Sequence, residues 1–259
     1  LAFSCQAPLG CPAIYGTVYS KFSVFCRALI LCCTLSSVAA LAETPPEPAF
    51  QLFMQSRPDT FLRELRLRSP APVSPETRNE IPRALPKQGE LKNLDAAERS
   101  KLSSLLGILE VHDRASVYIV KVITVPEAIL ALHARCILLI SESGLAIWSA
   151  AELQALAAHE IGHEYVWDKY YAARAGNNRE ELQRLELYCD GISILTLSAA
   201  GVDPSNLTSA VEKGIMYNRA HLGVARNETS YPNFSRRASF HKMVIQWIAK
   251  SQAESETAH

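Results

Sequence analysis

The sequence predicts an α+β fold, mainly helical with a small β-sheet beside one long helix. Three observations predict it. The first is the run from Ala150 to Gly176, AAELQALAAHEIGHEYVWDKYYAARAG, rich in alanine, leucine and other helix formers. Ser149 and Glu152 are spaced as a capping box at its start, and Gly176-Asn177-Asn178 is a stop signal at its end. The second is a pair of short apolar runs upstream, Val117-Tyr118-Ile119-Val120 (with Val122 beyond Lys121) and Cys136-Ile137-Leu138-Leu139-Ile140. Both have the length and residue types of strands. The third is a succession of further helical segments after Asn178.

Taken in order, the chain begins with a segment unlike the rest. Lys21 and Arg27 precede an apolar run from Ala28 that ends in Ala40-Leu41-Ala42, the layout of a secretory signal peptide cut before Glu43. Residues 1–20 read as an upstream extension of it. The alternative is a membrane anchor through residues 28–42, for which the apolar core is short against the roughly 20 residues a span needs. Five of the seven cysteines (Cys5, Cys11, Cys26, Cys32 and Cys33) lie in or before this segment. Cys136 and Cys189 remain, either as one disulfide or as two small buried apolar residues.

Residues 43–90 carry nine prolines and read as a linker or an extended arm, with regular structure only around Phe61 to Leu67. The main domain is expected over residues 91–250. Asp95 and Glu98 form a second capping box, opening a helix through about Leu109. After the central helix, another is expected from Arg179 towards Ala200, a third over Asn206 to Tyr217, and a last one over Arg236 to Lys250. His221 to Ser235 reads as a loop, and residues 251–259 as a flexible tail. The 26 Lys and Arg against 26 Asp and Glu leave no basic surplus for nucleic acid, and 48% hydrophobic residues suffice for one substantial core.

The chemistry concentrates in the central helix. His159-Glu160-Ile161-Gly162-His163 spells H-E-x-x-H, which puts two imidazoles one turn apart on one helix face, able to reach one Zn²⁺. Glu160 lies beside them as the base for a metal-activated water. Two histidines leave a catalytic zinc one protein ligand short, and no histidine follows His163 at close spacing; Lys169 stands six residues on. Glu186, on the following helix, is the candidate third ligand. Asp190, one turn further, is placed to accept the free N–H of a ligating imidazole. Gly162 either admits another segment close to the metal or is simply tolerated within the helix. Glu164 and Asp168 read as solvent-facing charges, the other reading being residues that support the metal ligands from behind.

These residues carry a resemblance. Residues 117–250 resemble the HtpX and CAAX-prenyl-protease family of zinc metallopeptidases, especially its soluble, exported bacterial members. The shared hallmark is H-E-x-x-H followed by E-x-x-x-D, here Glu186-Leu187-Tyr188-Cys189-Asp190, with Cys189 where the family usually has alanine. The family's Asn-Ala-Phe before the strand is represented only by Pro126-Glu127-Ala128. Its closing His-Pro and arginine correspond to Tyr231-Pro232 and Arg236-Arg237. The resemblance implies a zincin-like domain with an edge strand and small-residue turn ahead of the active-site helix, a place that Ile137 to Leu145 fits. It implies a zinc endopeptidase with His159, His163 and Glu186 as ligands, Glu160 as base, and Tyr231, Arg236 or Arg237 as donors to the developing charge. It further implies a polypeptide substrate, aligned on the strand at Ile137 to Ser141, and a periplasmic or secreted location with contacts to the membrane surface or envelope proteins. Two other readings stay open: a zinc-binding, chaperone-like module without proteolysis, and a purely structural cluster that binds no metal.

Overall fold

The computed structural model describes residues 47–84, 93–222 and 231–257, all within one unit of the chain. The signal-like segment and the junction at residues 85–92 lie outside the described residues. The fold is α+β: mostly helical, with one three-stranded mixed sheet. None of the described helices is long and apolar enough to cross a membrane.

The proline-rich stretch forms three short helices, α1 (Pro48–Phe53), α2 (Pro58–Leu67) and α3 (Pro75–Ala84), each starting on a proline. A proline in the first turn lacks only an N–H that would have no helical partner there, and its fixed φ suits the helix. Residues 48–67 are therefore no linker. Ala49, Phe50, Phe53, Leu62 and Leu65 belong to the main hydrophobic core. Phe53 is fully buried, with ring centroids 4.7 Å from Phe61 and 5.2 Å from Tyr188.

The Asp95–Glu98 capping box opens α4 (Ala96–Ser103) as expected, but the helix breaks at Ser104 and resumes as α5 (Leu105–Val111). The Ser104 hydroxyl bonds back to the Lys101 carbonyl at 2.6 Å, the local competition by which serine interrupts helices. Then come β1 (Ile119–Ile123), β2 (Leu130–His133) and β3 (Ile137–Ser141) in the order β1-β3-β2. β3 pairs parallel with β1 and antiparallel with β2. The expectation that Ile137–Ser141 is the edge strand is corrected: β3 has both edges paired, and β2 is an edge. The β2–β3 turn places Ala134 and Arg135 at φ of 48° and 59°, left-handed backbone carried here by non-glycine residues.

Ser141 caps the short α6 (Glu142–Ile147), and the Ser149–Glu152 capping box opens the long α7 (Ala150–Ala175). α8 (Arg179–Ala199) is buried on all sides from Leu185 to Leu197, except at Tyr188. Such a helix must lie at the centre of its domain, and α1, α2, α5, α7 and α10 (Phe234–Glu256) pack around it. Between them runs α9 (Asn206–Leu222). It outruns its expected end by five residues. The expected flexible tail is corrected through Glu256, because α10 continues through it.

His112 joins three elements: Nδ1 lies 2.8 Å from the Tyr165 hydroxyl on α7 and Nε2 lies 2.8 Å from Thr196 Oγ1 on α8. Burial, with the Arg66 and Arg114 charges adding to it, pushes its pKa from 6.5 down to about 4. Unfolded His112 takes up a proton from about pH 6.5 downward, while the folded protein resists until about pH 4, so stability falls as pH drops through that window. The full loss is on the order of 3 kcal/mol. Urea unfolding between pH 7 and pH 4 should show this slope in wild type and a shallower one in His112→Leu; equal slopes would refute it.

Candidate metal centre

α7 and α8 meet through Gly162. A Cβ there would lie 2.9 Å from the Cys189 Cα, closer than real Cβ atoms approach backbone. The glycine that weakens α7 locally thus lets α8 cross against the H-E-x-x-H turn and brings Glu186 to the histidines. His159 and His163 stand with their Nε2 atoms 3.2 Å apart and their rings nearly perpendicular. Glu186 Oε2 lies 3.3 Å from His159 Nε2 and 3.8 Å from His163 Nε2. Four ligands at ~2.0 Å around a tetrahedral zinc sit about 3.3 Å from one another. The first two spacings match that requirement, and the third is about 0.5 Å wider.

Glu186 is fully buried, yet no well-aligned hydrogen bond meets either of its oxygens, although His159 and Tyr170 stand beside it. A buried carboxylate in that condition is costly unless a cation meets it. Burial works to raise its pKa, but the imidazoles of His163 and His159 hold it below the ordinary carboxylate value. The same pairing acts on His159: burial lowers its pKa, but contacts with Asp190 and Glu186 outweigh this and raise it to about 10. A metal entering here displaces that proton.

A second carboxylate, Glu160, brings an oxygen within 4.8 Å of the ring nitrogens. It differs from Glu186 in being only partly buried and already engaged: its Oε2 accepts the Leu132 N–H of β2 at 2.8 Å. One carboxylate is fully buried without a well-aligned hydrogen bond, and the other is anchored by one oxygen.

Asp190 organises the far side. Its Oδ1 lies 2.8 Å from His159 Nδ1, though off the direction of a good hydrogen bond. Arg237 from α10 grips it with both nitrogens, Nε to Oδ2 at 2.8 Å and Nη2 to Oδ1 at 2.5 Å. His241, one turn along α10, reaches Oδ2 at 3.0 Å and turns its other nitrogen to Thr208 at 2.8 Å. Burial would raise the Asp190 pKa, but Arg237 and His241 hold it well below the usual range.

Of the expected donors, Arg237 is therefore committed to Asp190, and Arg236 is turned to Glu47 and Gln183. Tyr231 is exposed and adjoins the site through Tyr170. Tyr170 packs edge-on against His163 at 4.9 Å, and burial, with the Glu186 and Tyr231 groups nearby, holds its phenol protonated. Tyr170 and His241 escaped the sequence reading, although each sits at helical spacing from a residue that did not: seven after His163, four after Arg237. Asp168 is exposed as expected; Glu164 is not. It is buried, accepting from the Tyr118 hydroxyl at 2.6 Å and pairing with Arg114 and Arg135 at 3.2 and 3.3 Å. Cys136 and Cys189 are both buried free thiols.

No protein-family model matches the chain, and a search of curated proteins gives no match.

Gly162→Ala should destabilise the protein by about 1–3 kcal/mol through the forced separation of α7 and α8. Gly107→Ala, where a Cβ meets nothing within 4 Å, should be neutral or stabilising by up to about 1 kcal/mol. Urea denaturation of both variants checks this, and equal effects would contradict the close-crossing account.

Proposed function

We propose that the protein is a zinc-dependent endopeptidase with a zincin-like site, of the kind found in the HtpX and CAAX-prenyl-protease family. The observation that carries this reading is the buried Glu186 carboxylate, without a well-aligned hydrogen bond, facing the Nε2 atoms of His159 and His163 at 3.3 and 3.8 Å. His159, His163 and Glu186 would hold the ion. Bound there, zinc supplies a Lewis acid that makes water a stronger acid and stabilises negative charge on a carbonyl oxygen.

The remaining work falls to the chain itself. The Leu132 N–H fixes Glu160 through Oε2, leaving Oε1 to take a proton from the attacking water. Glu160 then returns that proton to the leaving amine nitrogen. Asp190, itself locked by Arg237, holds the His159 ring in position. The tyrosine pair Tyr170–Tyr231 supplies a phenolic donor at the edge of the site; Arg236 and Arg237 are spent on Glu47 and Asp190.

A peptide substrate would add to the edge of β2 rather than to β3. Ile129 turns its N–H and C=O to Ser141, so by strand alternation Leu130 and Leu132 present theirs outward. That free edge leads to Glu160 at Leu132. Export by the signal-like segment, and substrates among envelope or secreted proteins, belong to the same proposal.

Metal analysis of purified protein, paired with a peptide-library digest of wild type and Glu160→Gln, tests it. We expect about one zinc per chain in both proteins, with hydrolysis reduced at least ~100-fold in the variant. Normal turnover by Glu160→Gln would remove the base assignment. Zinc in wild type without hydrolysis of any peptide would favour the chaperone-like module instead.

A further inference from the structure

We propose that Asn218 ends the peptide-pairing edge of β2 and so limits how far a substrate is read on the C-terminal side of the scissile bond. The inference rests on the reading of β2 as the strand that takes the peptide.

The backbone groups facing outward along this edge belong to Ala128, Leu130 and Leu132. Asn218, on α9, occupies the first of them completely. Its Oδ1 accepts the Ala128 N–H at 2.7 Å, and its Nδ2 donates to the Ala128 carbonyl at 3.1 Å. One side-chain amide thus makes both bonds that a residue of a paired strand would make. Leu132 gives its N–H to Glu160 at the other end. Between these two stops lie the N–H and C=O of Leu130 and the carbonyl of Leu132.

The stop is built into rigid structure. α9 is fixed against Trp148, whose Cζ2 lies 3.1 Å from the place of a Gly214 Cβ and whose indole N–H donates to the Ala210 carbonyl at 2.9 Å. On the other side of the segment, the Ser143 hydroxyl holds the Glu127 carbonyl at 2.7 Å. The Asn218 amide therefore meets Ala128 from a helix packed against Trp148 one turn earlier.

Direction follows from strand geometry. β2 runs from Leu130 to His133, and a chain adding antiparallel to it runs the opposite way. Its residue opposite Leu132 lies beside Glu160; its residue opposite Leu130 lies two positions closer to the C-terminus. Further pairing would need Ala128, which Asn218 already holds. Asn218 touches neither the reacting water nor the metal ligands, so it acts as a specificity-determining residue, setting the length of substrate that is recognised.

The test uses peptides that the wild type cleaves, each shortened or extended one residue at a time at the C-terminus, bound to zinc-loaded Glu160→Gln protein. Affinity should rise with length up to the residue opposite Leu130 and then stay flat. Residue-resolved amide exchange should show the Leu130 amide slowing on binding and the Ala128 amide, protected already in the free protein, unchanged. In Glu160→Gln/Asn218→Ala, two further residues should add roughly tenfold in affinity, from the two backbone bonds released. The proposal is overturned if affinity keeps rising with length while Asn218 is intact, or if peptide slows Ala128 exchange there. The exchange measurement stands without the Asn218 variant, should that variant fail to fold. If no peptide slows the Leu130 amide although hydrolysis is established, β2 is not the peptide strand and this inference goes, while the zinc endopeptidase stands. If there is no hydrolysis and no peptide binding, both go.

Discussion

A carboxylate buried at the centre of a helical domain is the constraint around which the rest is arranged. Glu186 sits on α8, the most enclosed helix, fully buried and without a well-aligned hydrogen bond on either oxygen. The imidazoles of His159 and His163 approach it, with Tyr170 beside them, and Gly162 leaves the room that α8 needs to cross against α7 there. The energetic cost of such a carboxylate is relieved by positive charge at the point between it and the two rings. A proton on His159 supplies such charge, and under the proposed function a divalent cation would take that place among the three side chains.

Two buried acid networks brace α7 around that point. Behind His159, Asp190 is fixed by Arg237 and His241, which tie α8 to α10. One residue beyond His163, Glu164 gathers Tyr118, Arg114 and Arg135, and those arginines also bind the Pro70 and Ala71 carbonyls. The α7 segment bearing the H-E-x-x-H turn is thus held from both sides by charge pairs whose members come from distant parts of the chain. Each acid is buried with its partners in place, the condition under which breaking one member is strongly destabilising.

Much of this was legible in the sequence where the signal is local. Capping residues at Asp95 and Ser149 announce their helices, and the H-E-x-x-H spacing places two histidines on one face whatever surrounds them. Glu186 was readable because a single turn at Gly176–Asn178 folds its helix back on the one before. What was hidden depends on tertiary neighbours. Prolines at 48, 58 and 75 look like breakers until they are seen to occupy first helical positions. β2 is a four-residue strand of Leu, Ala, Leu and His, with no β-branched residue to mark it, so the edge was assigned to the more apolar β3. Glu164 looks like any helix-surface acid because its partners lie 29 to 50 positions upstream.

Zinc titration of metal-stripped protein, followed calorimetrically in wild type and Glu186→Ala, bears most directly on this account. Wild type should bind one equivalent with proton release, and the variant should bind at least ~100-fold more weakly for want of a ligand. Equal zinc affinity in the two proteins, or no saturable zinc site in wild type, would contradict it.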